Sequence, residues 1–179
     1  MALRTPPANN QDGNSVLPVL CAGSRRDLPA LLHIEKICFI GGYAPHRFCS
    51  SDFSIYIARP HALFQIAMAN GEPVGYVAGM VRRKRGDVTV RLDGIAVLPG
   101  WRRRGVGRQL LDWFLKEAPR RRANRVMLEV LASNATGVRW FIRAGFNQVR
   151  NLPNYYATGV DGIEMSRDLT GRSARVVGA

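Results

Sequence analysis

Residues 97–107 read VLPGWRRRGVG, a turn rich in glycine, proline and arginine between two apolar segments. The segment before it, residues 88–98, has the composition of a long strand. Residues 107–118 after it carry leucines and a phenylalanine at helical spacing. A turn from a strand into a helix directs several backbone N–H groups and the positive end of the helix dipole toward one point. The stretch therefore predicts a site for a phosphate or diphosphate. The alternative is a glycine-containing turn whose arginines are only solvated.

The glycines and arginines of this turn support an anion site without matching the commonest phosphate loops. Gly105 and Gly107 permit a close backbone approach and unusual dihedral angles. The turn lacks the GK[ST] of a Walker loop, and only two glycines of a Rossmann fingerprint are in place. Positive charge is added by the flanking residues Arg102, Arg103, Arg104 and Arg108.

Strand and helix patterns alternate outward from this turn and predict one α/β or α+β domain at residues 16–169. Strands are expected at residues 16–21, 63–68, 74–81, 88–98, 125–131, 146–150 and 162–167. Helices are expected at residues 27–39, with Asp27 as the cap, and at residues 47–58, 107–118 and 135–144. Asn70-Gly71 predicts a hairpin turn, residues 82–87 a charged turn and residues 151–161 a loop. A disordered leader is expected at residues 1–15 and a flexible tail at residues 170–179.

Length and composition exclude several protein classes. The chain has 179 residues, of which 46% are hydrophobic and 22% charged, and this excludes wholesale disorder. No run approaches the ~18 apolar residues of a membrane span, and the first fifteen residues lack the apolar run of a secretory signal. Cys21, Cys38 and Cys49 are odd in number and lack metal-ligand spacing. We therefore expect reduced, small buried thiols, no metal site and a cytoplasmic protein.

The net charge is +13, and most of the excess lies in one segment. The chain has 26 basic and 13 acidic residues, and residues 82–125 alone hold a net charge of +10. Such a balance is typical of a nucleic-acid partner, an acidic substrate or an anionic cofactor, and the coding composition of a genome can produce it too. The segment includes the glycine turn and lacks the interleaved aromatic residues of a base-stacking surface. We therefore favour an anionic cofactor over an RNA-binding face and expect no specific nucleic-acid partner and no membrane partner.

The spacing Arg102-x-x-Gly105-x-Gly107 resembles the [Q/R]-x-x-G-x-[G/A] motif of the GCN5-related N-acetyltransferase (GNAT) family, whose members bind acetyl-CoA. Other segments resemble a subgroup, the RimI-like enzymes that acetylate the N-terminus of a ribosomal protein and their archaeal and eukaryotic N-terminal acetyltransferase relatives. These segments are DGIAVLP at 93–99, LEV at 128–130, ASN at 132–134, AGF at 144–146 and NYY at 154–156. The resemblance covers about residues 18–169. It implies a mixed, mainly antiparallel sheet that is splayed at its centre and flanked by about four helices.

The resemblance also implies how acetyl-CoA would be held. The pantetheine arm would pair with the backbone of one strand, the diphosphate would lie at the turn, and an asparagine would hold the cofactor near its thioester. The residues implied are Ile95, Ala96, Val97, Arg102, Arg103, Arg104, Gly105, Val106, Gly107, Arg108 and Asn134. The alternatives are an ordinary buried strand at residues 95–97 and a helix N-cap at Asn134, and both are compatible with cofactor contact.

For the chemistry, the resemblance implies direct attack of an amine on the thioester in a ternary complex. Glu129, inside the apolar segment 126–130, takes the place of the family's general base, and an apolar setting would raise its pKa. A strand glutamate on a solvent-facing edge is the alternative. The family's tyrosine acid, seven residues after the asparagine, is replaced by Phe141, which cannot donate a proton. Tyr155 or Tyr156 is then expected to act as the acid or to shape the peptide site.

Three functions are compatible with these residues. The first is acetylation of a protein or peptide N-terminal α-amine of the ribosomal-protein type, near the ribosome, with Tyr43 and the Tyr155-Tyr156 pair lining the acceptor side. Phe48 could line it too, but core or loop packing is favoured for this residue. The second is acetylation of a small amine, although a charge of +13 disfavours a polycation. The third is a catalytically weak acyl-CoA-binding or ribosome-associated module, which Phe141 and the basic segment would permit.

Overall fold

The computed structural model describes residues 18–84 and 86–170. The strands are β1 (Val19–Cys21), β2 (Ala62–Ala69), β3 (Glu72–Lys84), β4 (Asp87–Val97), β5 (Arg125–Leu131), β6 (Asn147–Ala157) and β7 (Val160–Asp168). The α-helices within the described residues are α1 (Leu28–Cys38), α2 (Ser50–Ala58), α3 (Val106–Arg120) and α4 (Ala135–Arg143). The strands form one sheet in the order β1-β2-β3-β4-β5-β7-β6, antiparallel except between β4 and β5. The expected mixed, mainly antiparallel sheet with about four helices is confirmed.

The sheet is splayed between its two parallel strands, as expected. Residues 89–91 of β4 pair with residues 125–127 of β5, and the two strands diverge beyond this point. A bulge in β4 lies at the divergence, because Gly79 of β3 is opposite Leu92 while Ala78 is opposite Gly94. Asp93 is therefore the extra residue of β4, and a bulge of this kind bends its strand. The bend contributes to an opening between the carboxyl-terminal halves of β4 and β5.

Two apolar cores lie on opposite sides of the sheet. One joins α3 and α4 to the sheet and includes Val90 and Leu92 of β4 together with Phe114 of α3. The other joins α1 and α2 to the sheet and includes Ala96 of β4 together with Tyr76 of β3. Alternation along a regular strand would put residues 90, 92, 94 and 96 on one face. The extra residue in β4 changes the face of the even-numbered residues, so that Val90 and Leu92 pack in the first core while Ala96 packs in the second.

Several elements are where the sequence predicts them. Asn70 (φ 51°) and Gly71 (φ 82°) form the two-residue turn between β2 and β3, both in the left-handed conformation that this hairpin requires. Strand β5 has the expected bounds, and α3 extends the expected helix by one residue at its start and two at its end. For the strand and the helix, the spacing of apolar residues was sufficient to predict the element because each has one buried face.

Three predicted boundaries are wrong. The loop expected at residues 151–161 continues as strand, because β6 runs to Ala157 and β7 begins at Val160. Pro153 is tolerated there because β6 is an edge strand with an irregular register. The charged turn expected at residues 82–87 is mostly strand, since β3 runs to Lys84 and β4 begins at Asp87. Helix α2 begins at Ser50 rather than at residue 47, after a short 3-10 helix at Gly41–His46.

Two side-chain expectations also need correction. Asp27 stands at the N-cap position of α1, but its carboxylate accepts hydrogen bonds from the backbone N–H and hydroxyl of Ser24 instead of capping that helix. The cysteines are not all buried, because Cys49 is exposed and Cys21 and Cys38 are half-buried. The expected leader, residues 171–179 of the expected tail and the first two residues of the expected first strand lie outside the described residues. Within residues 18–84 and 86–170, the helices are too short or too polar to span a membrane.

Candidate active site

The divergence of β4 and β5 opens a cleft of about 1120 Å³. Its walls come from both strands, from the connection between α1 and α2, from the first turns of α3 and α4, and from β6. Of the site residues predicted from the sequence, the cleft is lined by Ile95, Ala96, Val97, Arg102, Arg103, Gly105, Gly107, Arg108, Glu129, Asn134, Phe141, Tyr155 and Tyr156. The structure thus brings together residues separated by up to 61 positions in the chain. Arg104 and Val106, which were also predicted for the site, do not line the cleft.

The glycine turn ends at the start of α3, at one end of the cleft. Gly105 is the N-cap of this helix and has φ 82°, a conformation that favours glycine. Its carbonyl accepts the first helical hydrogen bond, from Gln109, which leaves the earlier backbone N–H groups of the helix free of intrahelical partners. The Val106 side chain is buried in the core beneath them. The turn therefore presents backbone rather than side chain toward the cleft, as an anionic group requires.

Three of the four flanking arginines are engaged locally. Arg102 donates from Nε to the Val97 carbonyl at 2.9 Å, and Arg108 donates from Nε to Asp112 at 2.8 Å. The Arg104 guanidinium lies 5.2 Å from the centre of the Trp101 ring. A cation–π contact of this kind holds Arg104 on the ring and accounts for its absence from the cleft wall.

Glu129 lies where β4 and β5 begin to diverge, in a network centred on Arg91. Arg91 Nε donates to Glu129 Oε2 at 2.9 Å and lies 3.2 Å from Asp93 Oδ1. Arg91 Nη2 donates to the Tyr155 hydroxyl at 3.1 Å, and the Tyr56 hydroxyl donates to Asp93 at 2.8 Å. Arg91, Asp93 and Tyr56 were not among the residues predicted for the site. The β4–β5 pairing sets Arg91 opposite Met127 and thus beside Glu129, and Asp93 follows two residues later in β4.

The Glu129 carboxyl is partly removed from water. Its side chain is 15% exposed, and burial raises its pKa above the ordinary value of a glutamate, although the nearby Arg91 cation opposes the rise. Asp93 has a raised pKa for the same reason, with its hydrogen bond from Tyr56 acting in the opposite direction. A carboxylate with a raised pKa takes up a proton more readily than an exposed one. The site can therefore accept a proton from a group that enters the cleft.

An aromatic wall closes the side of the cleft opposite α3. The rings of Tyr43 and Tyr156 meet edge to face at 5.3 Å, and Tyr155 meets Tyr156 at 5.0 Å. Burial raises the pKa of both Tyr155 and Tyr156. The Tyr43 hydroxyl accepts hydrogen bonds from the Leu131 N–H at 2.9 Å and from Asn134 Nδ2 at 3.3 Å. Three tyrosine side chains are thus fixed around the same opening.

Helix α4 supplies Asn134 and Phe141 to the cleft. Asn134 is the helix N-cap, since its side-chain oxygen accepts from the Gly137 N–H at 2.9 Å. A Cβ atom at position 137 would lie 2.6 Å from Asn134 Nδ2, so glycine leaves room for this cap. Phe141 is 7% exposed and packs edge to face on Phe146, with ring centres 5.5 Å apart. A ring in this place contributes packing and carries no proton that could be donated.

Comparisons with known proteins show which family the chain resembles. The model of the Acetyltransferase (GNAT) family matches residues 28–146. The chain is 33% identical over 138 residues to the [Ribosomal protein bS18]-alanine N-acetyltransferase of Escherichia coli (strain K12), covering 77% of this chain and 86% of that protein. It is 30% identical over 152 residues to an N-alpha-acetyltransferase of Sulfurisphaera tokodaii, covering 80% and 88%.

Solved structures give the same picture of the fold. The ribosomal-protein-S18-alanine N-acetyltransferase from Escherichia coli superposes with a TM-score of 0.70 at 25% identity, over 89% of this chain and 99% of that one. The Arabidopsis thaliana Naa50 in complex with the bisubstrate analogue CoA-Ac-MVNAL superposes with a TM-score of 0.72 at 22% identity, over 86% and 99%.

Proposed function

The chain belongs to the Acetyltransferase (GNAT) family, and we propose that it transfers an acetyl group to the N-terminal α-amine of a protein. Enzymes of this family use acetyl-CoA, and the chain is accordingly an acetyl-CoA-dependent N-acetyltransferase. The proposal about the acceptor is supported by relatives named for ribosomal protein bS18 and for N-α-acetylation. By the same reasoning we propose an acceptor of the ribosomal-protein type.

The residues of the cleft fit acetyl-CoA. Beyond Arg91, β4 is no longer paired with β5, so backbone groups within residues 95–97 face the opening. The Val97 carbonyl accepts from Arg102, and an extended arm can pair with the groups that remain. The free N–H groups at the start of α3 and the arginines around them suit a diphosphate. The proposed contacts are thus the backbone of residues 95–97, the turn at residues 102–108 and the side chain of Asn134.

We assign the general base to Glu129. Acetyl-CoA supplies the acetyl group as a thioester, which an amine attacks directly in a ternary complex. A protein α-amine has a pKa near ~8, and a carboxylate with a raised pKa, acting directly or through water, can remove its proton. Arg91 holds the Glu129 carboxylate in place, and the aromatic wall of Tyr43, Tyr155 and Tyr156 orients the acceptor chain. Glu129 within the cleft is the single observation that carries the proposal.

Acetyl transfer should show a strong preference for free N-termini. A pair of matched peptides tests this, one with a free N-terminus and no lysine, the other with a blocked N-terminus and one internal lysine. At pH 7.5 a larger fraction of α-amine than of lysine is unprotonated, by about 100-fold, and we expect a preference of at least that order in kcat/KM. The measurement is CoA release, with a polyamine as a third acceptor. Equal rates on both peptides, or turnover of the polyamine alone, would contradict an N-terminal acceptor.

The charge of Arg91 should set the acid limb of the pH profile. Glu129 must be unprotonated to act, so kcat/KM falls as the pH drops through its raised pKa. Arg91 opposes that rise, and the substitution Arg91→Gln should therefore shift the acid limb to higher pH. Arg91→Lys, which keeps the charge, is the matched control and should shift it less. All three proteins are measured with one acceptor peptide, so that the titration of its amine is common to them. An unchanged limb in Arg91→Gln would mean that Glu129 does not control it.

A further inference from the structure

In direct acetyl transfer, a proton given to the departing thiolate yields the free thiol of CoA and assists its departure, and neither Phe141 nor the Tyr155-Tyr156 pair supplies that proton well. Phe141 has no ionisable proton. Tyr155 accepts a hydrogen bond from the Arg91 cation, but burial raises its pKa, and burial raises that of Tyr156 as well. A raised pKa means that these hydroxyl groups hold their protons more strongly. A better donor would have its oxygen stabilised as the proton leaves.

Tyr43 meets this requirement by its hydrogen bonds. Its oxygen accepts from both the Leu131 N–H and Asn134 Nδ2, and two such donors stabilise negative charge that develops on the oxygen. Since a phenol oxygen accepts through its lone pairs, the proton of the hydroxyl is left to donate elsewhere. Tyr43 lines the same cleft as Glu129 and Asn134.

The hydroxyl lies in the opening between the strands. The Ala132 N–H donates to the Asp161 carbonyl of β7, and successive residues of a strand point their N–H groups in opposite directions. The Leu131 N–H therefore points away from β7, toward the gap that the divergence of β4 leaves. Leu131 is two residues beyond Glu129, a distance of about 6.6 Å along a strand. The Tyr43 hydroxyl, which is bound at Leu131, and the Glu129 carboxyl thus lie beside neighbouring residues of β5 and line one cleft.

The segment that carries Tyr43 is anchored beyond the tyrosine. The buried Glu35 carboxylate of α1 accepts hydrogen bonds from the Phe48 N–H at 2.8 Å and from the Tyr76 hydroxyl. The Tyr43 ring is held between Phe39 and Tyr156, with ring centres at 5.6 and 5.3 Å. These contacts fix the position of the hydroxyl without any contribution from a ligand.

We propose that Tyr43 is the proton donor to the leaving thiolate, a role that rests on the proposed acetyl transfer. As the carbon–sulfur bond breaks, its electron pair goes to the sulfur, and the Tyr43 hydroxyl proton is transferred to that sulfur to give the free thiol of CoA. The phenolate that results is reprotonated by water. The proton of the amine leaves separately through Glu129. Tyr43 thereby takes over the chemical role that position 141 cannot perform with phenylalanine.

The test is Tyr43→Phe, with one kinetic and one spectroscopic readout. General acid catalysis contributes about 100-fold or more, and we expect kcat to fall by about that factor while KM for acetyl-CoA changes little. The second readout is the ultraviolet absorbance of the thiolate of bound CoA as a function of pH. A hydrogen bond from Tyr43 favours the thiolate, so bound CoA should ionise at lower pH in the wild type than in Tyr43→Phe. Tyr155→Phe serves as the rival-donor variant and should lower kcat less.

A double variant separates proton donation from simple packing. In Tyr43→Phe/Phe141→Tyr a phenol returns to the cleft from the other side, and we expect kcat to recover by about tenfold. A loss in kcat of less than about threefold in Tyr43→Phe, or identical titrations of bound CoA, would overturn the proposal. The wild-type rate on free N-termini tests the proposed function by itself. The role of Tyr43 can be measured with any amine that the enzyme accepts, and the titration of bound CoA requires no acceptor at all. The two proposals can therefore fail independently.

Discussion

Replacing Glu129 by glutamine should lower kcat for acetyl transfer by about 100-fold or more, the usual contribution of a general base. Glutamine has nearly the same shape, and its side-chain oxygen can still accept the hydrogen bond that Arg91 donates to Glu129. It cannot take up a proton. The acceptor peptide must then lose its proton to water before attack, and the acid limb that Glu129 contributes to the pH profile should disappear with it.

A matched control is available on helix α3. Glu117 is 19% exposed, close to the 15% of Glu129, and it also pairs with an arginine, Arg120. Glu117 does not line the cleft, so Glu117→Gln should leave kcat within about twofold of the wild type while changing charge by the same amount. Steady-state kinetics and thermal melting of both variants separate catalysis from folding. If Glu129→Gln lost less than about threefold in kcat, Glu129 would not be the base.

Substituting Gly79 by alanine should cost about 1–3 kcal/mol of the free energy of unfolding, which is the usual penalty for overpacking a core. A Cβ atom at Gly79 would lie 2.4 Å from the Arg91 carbonyl oxygen and 2.4 Å from Cζ of Phe114. The phenylalanine ring can shift, but the carbonyl belongs to the paired strand β4. Strands β3 and β4 must therefore separate beside the bulge, whether or not the Phe114 ring on α3 also shifts.

Chemical denaturation measures this cost. Gly100→Ala is the control, because a Cβ atom there has no neighbour within 4 Å, and its stability should stay within about 0.5 kcal/mol of the wild type. In Gly79→Ala/Phe114→Leu only the ring contact is relieved, so stability should not return fully. Equal stability of Gly79→Ala and the wild type would show that β3 and β4 have room at this point.

The sequence predicted the elements that have one buried face. The apolar spacing of α3, the Asn70-Gly71 turn and β5 are local features, and a short window of sequence contains all the information they need. Strand β6 is different, because it lies at the sheet edge and most of its residues are exposed. Its segment NLPNYYA shows no alternation of apolar and polar residues, and the hydrogen bonds to β7 that make it a strand are not visible in its own composition.

The same distinction applies to the candidate site. The glycine turn and Glu129 stand in recognisable local patterns, and both were expected from the sequence. Arg91 reaches Glu129 because β4 pairs with β5 up to this residue, and Asp93 is the extra residue of β4 just beyond, so both positions depend on pairing between distant segments. Tyr43 lies 88 positions before the Leu131 N–H that it binds. Contacts between residues so far apart in the sequence follow from the whole fold rather than from any one motif.

The change of face along β4 also affects how such a protein can diversify. Before Asp93, the buried side chains Val90 and Leu92 belong to the layer of α3, the helix whose first turn is proposed to hold the acetyl donor. After it, Ala96 belongs to the layer of α1 and α2, whose connection carries the acceptor wall. Ile95 and Val97, which flank Ala96, still pack on the core of α3. The stretch of β4 beside the cleft therefore contacts both layers, and a substitution there acts on the donor and acceptor sides together, whereas one within α3 or within α1 contacts a single core.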